Sequence, residues 1–294
     1  MHLSLFRRTL NHFKLPILLS FSWIAVFVVI KGFNGYLEVI AEHYPIAITM
    51  LFGSMVAGGT PLGGGAVAFP VMTKLLGYSP EFAKQFSLAI QTVGMGTASF
   101  FILHKQIPVY KPVLIHTMPA ACLGVLSSLI LFSDVFPLVV LKVLFSSFLL
   151  FVFVVLIKLE YQPQKQLSHS SINGTASLIG FCGGVLSGLI GSGADMLVFA
   201  FAALLLGIPL RMAIATSVLV MATTSLVATA YHFVVLSGEN QRLLELLLSA
   251  IPVVSIGAPL GALLCYLIPH RLLLLLILSL IMTEVLTTVD FLLQ

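Results

Sequence analysis

Two apolar stretches constrain this chain more than any other feature. Residues 45–77 and 175–207 are each too long for one bilayer crossing and too short for two, and each is broken midway by a cluster of glycines. A transmembrane helix takes about 20 apolar residues. Inside lipid every backbone N–H and C=O needs a partner from the protein, so an interrupted helix survives only where it is buried or lines a cavity. The surrounding sequence supplies such a body. Segments 15–33, 81–103, 112–132, 137–157, 210–236, 246–268 and 272–289 each read as a membrane span. Only 8% of the 294 residues are charged and 59% are hydrophobic, where a soluble domain carries roughly 25% charged residues. That composition excludes a soluble globular protein, a nucleic-acid binder and a secreted disulfide scaffold. The three cysteines, Cys122, Cys182 and Cys265, are dispersed in apolar segments and read as reduced thiols, with no metal spacing.

The N-terminal run 15–33 follows Arg7, Arg8 and Lys14 and lacks a small-residue cleavage site, so it reads as an uncleaved first span. Beyond it the chain repeats. A slide of 130 residues brings Gly53 onto Gly183, Gly58 onto Gly188, Gly63 onto Gly193 and Gly77 onto Gly207. Each unit is one broken segment followed by three full spans. If each broken segment enters and leaves on one side, with the N-terminus inside, nine of the 14 Lys and Arg residues fall on the cytoplasmic side. Seven acidic residues then gather outside. A single crossing by each broken segment blurs that segregation. The hairpin arrangement gives each unit an odd number of crossings, so the second is inverted relative to the first, as in secondary transporters. The expected fold is therefore all-α: a polytopic membrane protein of two inverted repeats, each a glycine-broken helical hairpin plus three transmembrane helices, with one extra N-terminal transmembrane helix. The divisions are 1–44 for the tail and first helix, 45–158 for repeat 1, 159–174 for a polar linker and 175–294 for repeat 2.

The breaks read Gly58-Gly59-Thr60-Pro61-Leu62-Gly63-Gly64-Gly65 and Ser187-Gly188-Leu189-Ile190-Gly191-Ser192-Gly193-Ala194-Asp195. A helix restarting after such a break has N–H groups with no partner inside the helix. An anion satisfies them and suits the positive end of the helix dipole. The candidate ligand positions are Gly63, Gly64 and Gly65 at one tip and Ser192, Gly193 and Ala194 at the other. Gln91 reaches the level of the first tip by its rise along the helix. Ser87 and Ser217 recur at the same place in both halves, with Thr216 beside the latter. A second reading of the same residues is structural. Gly59–Gly63, Gly184–Gly188 and Gly257–Gly261 have the spacing of close helix packing, and Ser192 with Asp195 fits a capping box. The residues alone leave both readings open.

The strings GGTPLGGGAVAFP (58–70), GLIGSGADM (188–196) and GIPLRMAIATS (207–217) resemble the TauE/SafE family of sulfite and organosulfonate exporters. The likeness runs from residue 45 to the end of the chain. It implies an anion transporter of the cytoplasmic membrane that moves sulfite, sulfoacetate, thiosulfate or a related sulfur oxyanion. Asp195 departs from a plain glycine-rich break. Beside an anion it repels the substrate unless it is protonated, which makes it a candidate proton-coupling group, with a helix cap as its alternative. Glu284 lacks a repeat partner and reads as a helix-contact residue. Arg211 and Lys84 open the helices after the two hairpins and are placed to attract anions or to anchor the interface.

The expected activity is export of a sulfur-containing oxyanion by alternating access. A passive anion channel and a structural or lipid-handling subunit are the alternatives. No catalytic motif and no cofactor are expected. The expected partners are the lipid bilayer and a small sulfur oxyanion, with no nucleic acid and a homodimer left open.

Overall fold

A computed structural model describes residues 2–64, 68, 71–131, 137–160, 172–235 and 241–293. Among these residues the structure is helical, with no strand. The helices are α1 (His2–Lys31), α2 (Phe33–Gly59), α3 (Pro80–His104), α4 (Lys111–Leu131), α5 (Leu138–Glu160), α6 (Ile172–Ile190), α7 (Ala194–Ala200), α8 (Leu210–Val234), α9 (Gln241–Leu267) and α10 (His270–Leu293). Among the described residues eight helices are long and apolar enough to cross a membrane, and many of their large apolar side chains face outward, among them Phe21, Val29, Leu123, Leu226 and Leu275. Apolar side chains around the outside and small, polar ones within are the pattern of a helical bundle in lipid.

The ends of the two broken segments match down to single hydrogen bonds. A π-helical turn, Val71–Leu75, closes the first broken segment, and Phe201–Leu205 closes the second. Leu76 N donates to Val71 O at 3.1 Å and Leu206 N to Phe201 O at 3.2 Å. Tyr78 N donates to Met72 O at 2.9 Å and Ile208 N to Ala202 O at 3.0 Å. Between each pair lies a left-handed glycine, Gly77 at φ 68° and Gly207 at φ 66°. A residue with a Cβ resists that conformation, and glycine adopts it freely. The glycines that match at a 130-residue slide therefore match because the backbone does the same thing twice.

The packing pairs the two halves crosswise. α2 lies along α9 and α6 lies along α4; α3 touches α9 and α4 touches α8; α3 crosses α8 and α5 meets α10. Glycines make these approaches close. A Cβ at Gly58 would strike the Ala258 carbonyl, and one at Gly261 the Met55 carbonyl. In the other pair a Cβ at Gly184 would strike the Ala121 carbonyl and one at Gly188 would sit 2.7 Å from Ser128 Oγ. The spacings Gly184–Gly188 and Gly257–Gly261 thus serve helix packing, whereas in Gly59–Gly63 only Gly59 does. Gly124 and Gly180 serve it too, against Phe181 and Thr117.

The first broken segment turns back on itself. Ile46 and Met50 on α2 and Ala68 and Met72 beyond the break share one buried cluster with Ala83 and Phe86 of α3 and Leu243, Leu246 and Leu247 of α9. Both arms of the break thus lie beside the first turns of α3 and α9.

One boundary differs from the sequence reading. α2 begins at Phe33, so the division at 44/45 falls inside a helix. Residues 37–42 (Leu-Glu-Val-Ile-Ala-Glu) hold no helix breaker, and the turn is made earlier by Gly32 at φ 75°. Pro45 is carried inside the helix. α1 leans on α9 through Ser20 Oγ, which donates to Pro252 O at 2.8 Å. Near the Gly32 bend, Lys31 Nζ pairs with Glu245 Oε1 at 3.2 Å. The linker 159–174 lies mostly outside the described residues. Cys122, Cys182 and Cys265 are free. Thr288 near Glu284 accepts from Ser146 Oγ at 2.8 Å and so joins α10 to α5.

Candidate functional site

Each hairpin tip is set by where its helix ends. α2 stops at Gly59, with Thr60 extended and its Oγ1 turned back to Val56 O at 2.8 Å. Pro61–Gly64 form the turn, and Gly63 is left-handed at φ 67°. α6 stops at Ile190, Gly191 N reaches Ser187 O at 2.8 Å, and Gly191 and Gly193 take φ 92° and 141°. α7 then restarts at Ala194.

The two tips meet. A Cβ at Gly63 would overlap Asp195 Oδ2 and lie 3.0 Å from Gln91 Oε1. A Cβ at Gly64 would lie 3.3 Å from Gln91 Cγ. Gln91, from α3, spans both hairpins. Its Nε2 donates to Ser87 O at 3.2 Å, to Ser87 Oγ at 2.9 Å and to Gly191 O at 2.9 Å. Backbone carbonyls accept only, so they fix which end of the amide faces Gly191. Gln91 Oε1 is thereby aimed at Gly63. Gln91 and Asp195 are 2% and 1% exposed.

The donors at the start of α7 are already engaged. Gly193 N and Met196 N donate to Asp195 Oδ1 at 3.3 and 3.0 Å. Ala194 N donates to Ser187 Oγ at 2.8 Å, and Leu197 N to Gly193 O at 3.0 Å. Asp195 therefore acts as a cap from within its own helix, and Ser187 reaches across the hairpin to complete it. Ser187 lies within the glycine-rich string, but sequence reasoning gave it no role. Its partner one repeat earlier is Ala57, so the repeat could not flag it.

Two buried oxygens are left without a hydrogen-bond partner at this junction, Gln91 Oε1 and Asp195 Oδ2. Both are acceptors. A small cleft of about 10 Å³ adjoins Gln91, walled by Gly64, Gln91, Ser54, Gly94 and Val254. A second small pocket, also of about 10 Å³, lies at the end of α2, walled by Gly58, Arg211, Cys265 and Tyr266. Arg211 Nη2 donates to Ile268 O there, at 2.6 Å, and its guanidinium lies 5.7 Å from the Tyr266 ring centre. Lys84 packs at the opposite tip, where a Cβ on Gly191 would lie 3.3 Å from its Cγ.

The structure thus gathers Gly63, Gly64, Ser87, Gln91, Gly193 and Asp195 around one point, with buried Ser192 and Ala194 in the same tip. Thr216 and Ser217 are engaged in bonds outside this cluster. Thr216 Oγ1 donates to Met212 O at 2.7 Å and accepts from Tyr110 N at 2.9 Å, holding the α3–α4 connection. Ser217 Oγ donates to Ile214 O of its own helix at 2.9 Å. Gly65 lies outside the described residues. Among the described residues no group of His, Cys, Asp and Glu is placed to hold a metal.

Paired broken hairpins that meet inside an apolar helical bundle define a multi-pass membrane protein of transporter type. A family model described as Sulfite exporter TauE/SafE matches residues 46–286, most of the chain. The chain belongs to the TauE/SafE family, a family of transporters. No curated protein and no solved structure matches it.

Proposed function

We propose that this protein exports a small sulfur oxyanion, of the sulfite, thiosulfate or organosulfonate class, across the cytoplasmic membrane by alternating access. The observation that carries the reading is the meeting of two glycine-bent tips at Gly63 and Asp195, in a chain of the TauE/SafE family. Each tip is built from one half of a repeated chain, so relative movement of the halves opens this junction. The moving units are repeat 1 (45–158) and repeat 2 (175–294), inverted with respect to each other and joined by 159–174, with the N-terminus cytoplasmic and the acidic face outside. The contact at Gly63 and Asp195 closes the middle of the molecule, which favours a carrier over a passive channel.

In the substrate-bound state the anion sits between Gly63–Gly65 and Ser192–Ala194, with Ser87, Gln91, Thr216 and Ser217 on the surrounding helices. To hold it, Gln91 exchanges its bond to Gly191 for one to the anion. A hydrogen bond to a charged group contributes about 1.5–3 kcal/mol, enough to replace a bond to a neutral carbonyl.

Reconstituted vesicles loaded with unlabelled thiosulfate test the reading. Saturable uptake of labelled thiosulfate, accelerated by the unlabelled pool inside, is expected. The same assay with sulfite and with an alkylsulfonate ranks the substrates. Flux that rises linearly with concentration and ignores the internal pool overturns the carrier mechanism.

A further inference from the structure

The junction of the tips poses a chemical problem that an anion does not solve. Gln91 Oε1 and Asp195 Oδ2 are both buried, both lack a donor, and both face Gly63. Two buried acceptors that crowd the same point beside Gly63 repel, and leaving such groups unsatisfied costs about 1–3 kcal/mol for each. Neither can relieve the conflict alone. Reversing the Gln91 amide sets its oxygen against the carbonyls of Ser87 and Gly191. Asp195 is held by the Gly193 and Met196 amides on Oδ1. What is missing is a single positive hydrogen.

We propose that the junction is a proton site: Asp195 carries a proton on Oδ2 and donates it to Gln91 Oε1. The proton then latches the hairpins. Gln91 is bonded through its Nε2 to the second tip at Gly191 and stands against the first tip at Gly63 and Gly64. With the proton bound, the junction is closed and every polar group in it is paired. With the proton gone, a carboxylate faces an amide oxygen and the tips separate. The proton that leaves Oδ2 goes to water on the side to which the tips have opened, and closure takes one up again.

Among the described residues, Lys84 of α3 brings a charged side chain to the tip, packed against Gly191. Glu81 and His104 lie in the first and last turns of α3, Arg211 and His232 in those of α8, and Cys182 on an exposed face of α6. The anion-carrier reading is needed only for the second half of the proposal, in which this proton is the one coupled to substrate. A protonated Asp195 is neutral beside a bound anion, so protonation and anion binding strengthen each other reciprocally.

Infrared difference spectroscopy of the purified protein, without substrate, reads the proton directly. A protonated-carboxyl C=O band that disappears at alkaline pH is expected in wild type. It should be absent in Asp195→Asn and displaced in Gln91→Leu, where its acceptor is gone. Asp195→Asn is chosen because asparagine still caps a helix and its Nδ2 can donate permanently to Gln91 Oε1, so the fold is kept. No band lost in Asp195→Asn at any pH overturns the proton site. So does a gain in thermal stability from sodium over choline that wild type shows and Asp195→Asn lacks, since a sodium ion then occupies the junction. A titration with thiosulfate, whose charge is constant over the range, reads the coupling. Affinity in wild type should fall about 10-fold as the band disappears, within the usual range of coupling between sites, and should stay constant with pH in Asp195→Asn. The band without thiosulfate, sulfite or sulfonate binding keeps the proton site and refutes the anion reading. Binding that follows the same pH curve in both proteins refutes the coupling.

Discussion

Gln91 of the first half is bonded to Gly191 of the second: its Nε2 donates to the Gly191 carbonyl over 2.9 Å, with both residues buried. The two residues lie 100 positions apart in the chain. This hydrogen bond ties a hairpin tip to a helix of the opposite half. The other bonds at the second tip, from Gly191, Gly193, Ala194, Met196 and Leu197, stay within that hairpin. Gln91 therefore links the second tip to a helix of the first half.

Gln91→Leu removes that bond and leaves the Gly191 carbonyl buried without it. An unsatisfied buried acceptor costs about 1–3 kcal/mol. We expect a lower unfolding temperature in detergent, together with weakened anion binding. Gln91→Asn keeps the amide but shortens the reach, and is expected to resemble leucine in both measurements. Wild-type stability in Gln91→Leu would show that the bridge contributes nothing.

Gly63→Ala and Gly77→Ala separate the role of a left-handed backbone from that of close approach. Both glycines have φ near 67°. A side chain in that region costs about 1–2 kcal/mol, and at Gly77 a Cβ meets nothing within 4 Å. At Gly63 it meets Asp195 and Gln91. Gly77→Ala should therefore lose only the backbone cost and keep transport. Gly63→Ala should lose transport, even in protein that inserts and purifies as wild type. Equal transport by both variants would remove the junction from the mechanism.

The helical, membrane-spanning class was legible in the long apolar runs and the scarcity of charge, and matched glycines report backbone conformation directly. Gly77 and Gly207, 130 positions apart, both turn left-handed after a π-helical turn. Less legible was what the glycines are for. Gly58, Gly184, Gly188 and Gly261 allow helices to touch, whereas Gly63, Gly191 and Gly193 allow the chain to turn, and one spacing pattern covers both. Residue type also hid direction. Gln91 was recognisable as a buried amide, yet which of its ends faces the tip depends on two carbonyls, at positions 87 and 191, that no side-chain pattern records. Ser87 and Ser217 match in sequence, but only Ser87 has a glutamine one turn on to bond. At the corresponding place after Ser217 the chain has Met221, which receives Ser187 Oγ at 3.8 Å instead.

Ser187→Ala tests the cap that the sequence did not reveal. It leaves Ala194 N–H without its side-chain acceptor, at an expected cost of about 1–3 kcal/mol. Ser217→Ala removes only a hydroxyl that bonds a carbonyl of its own helix, a kind of bond that adds little to a helix. Thermal unfolding of the two variants should therefore differ, with Ser187→Ala the less stable. A similar loss in both would indicate that hydroxyl burial, rather than capping, sets the cost.

Lys84 and Arg211 give the last expectation, because each is a cation placed beside the hairpin of the opposite half. Lys84 of repeat 1 packs on Gly191, and Arg211 of repeat 2 shares a pocket with Gly58 at the end of α2. If anions approach the junction from two sides, each cation raises the local anion concentration on one of them. Such steering changes arrival rates by 10-fold or more at low ionic strength and fades as salt screens it. Lys84→Gln should therefore slow thiosulfate uptake in membrane vesicles of one orientation, and Arg211→Gln in vesicles of the other. Arg211→Lys keeps the charge but forfeits the planar donor to Ile268 O, so it should retain most of the rate while losing stability. Raising the salt concentration should erase the difference between Lys84→Gln and wild type. An equal effect of each neutralisation in both vesicle orientations would mean that these cations anchor the helices and do not face separate approaches.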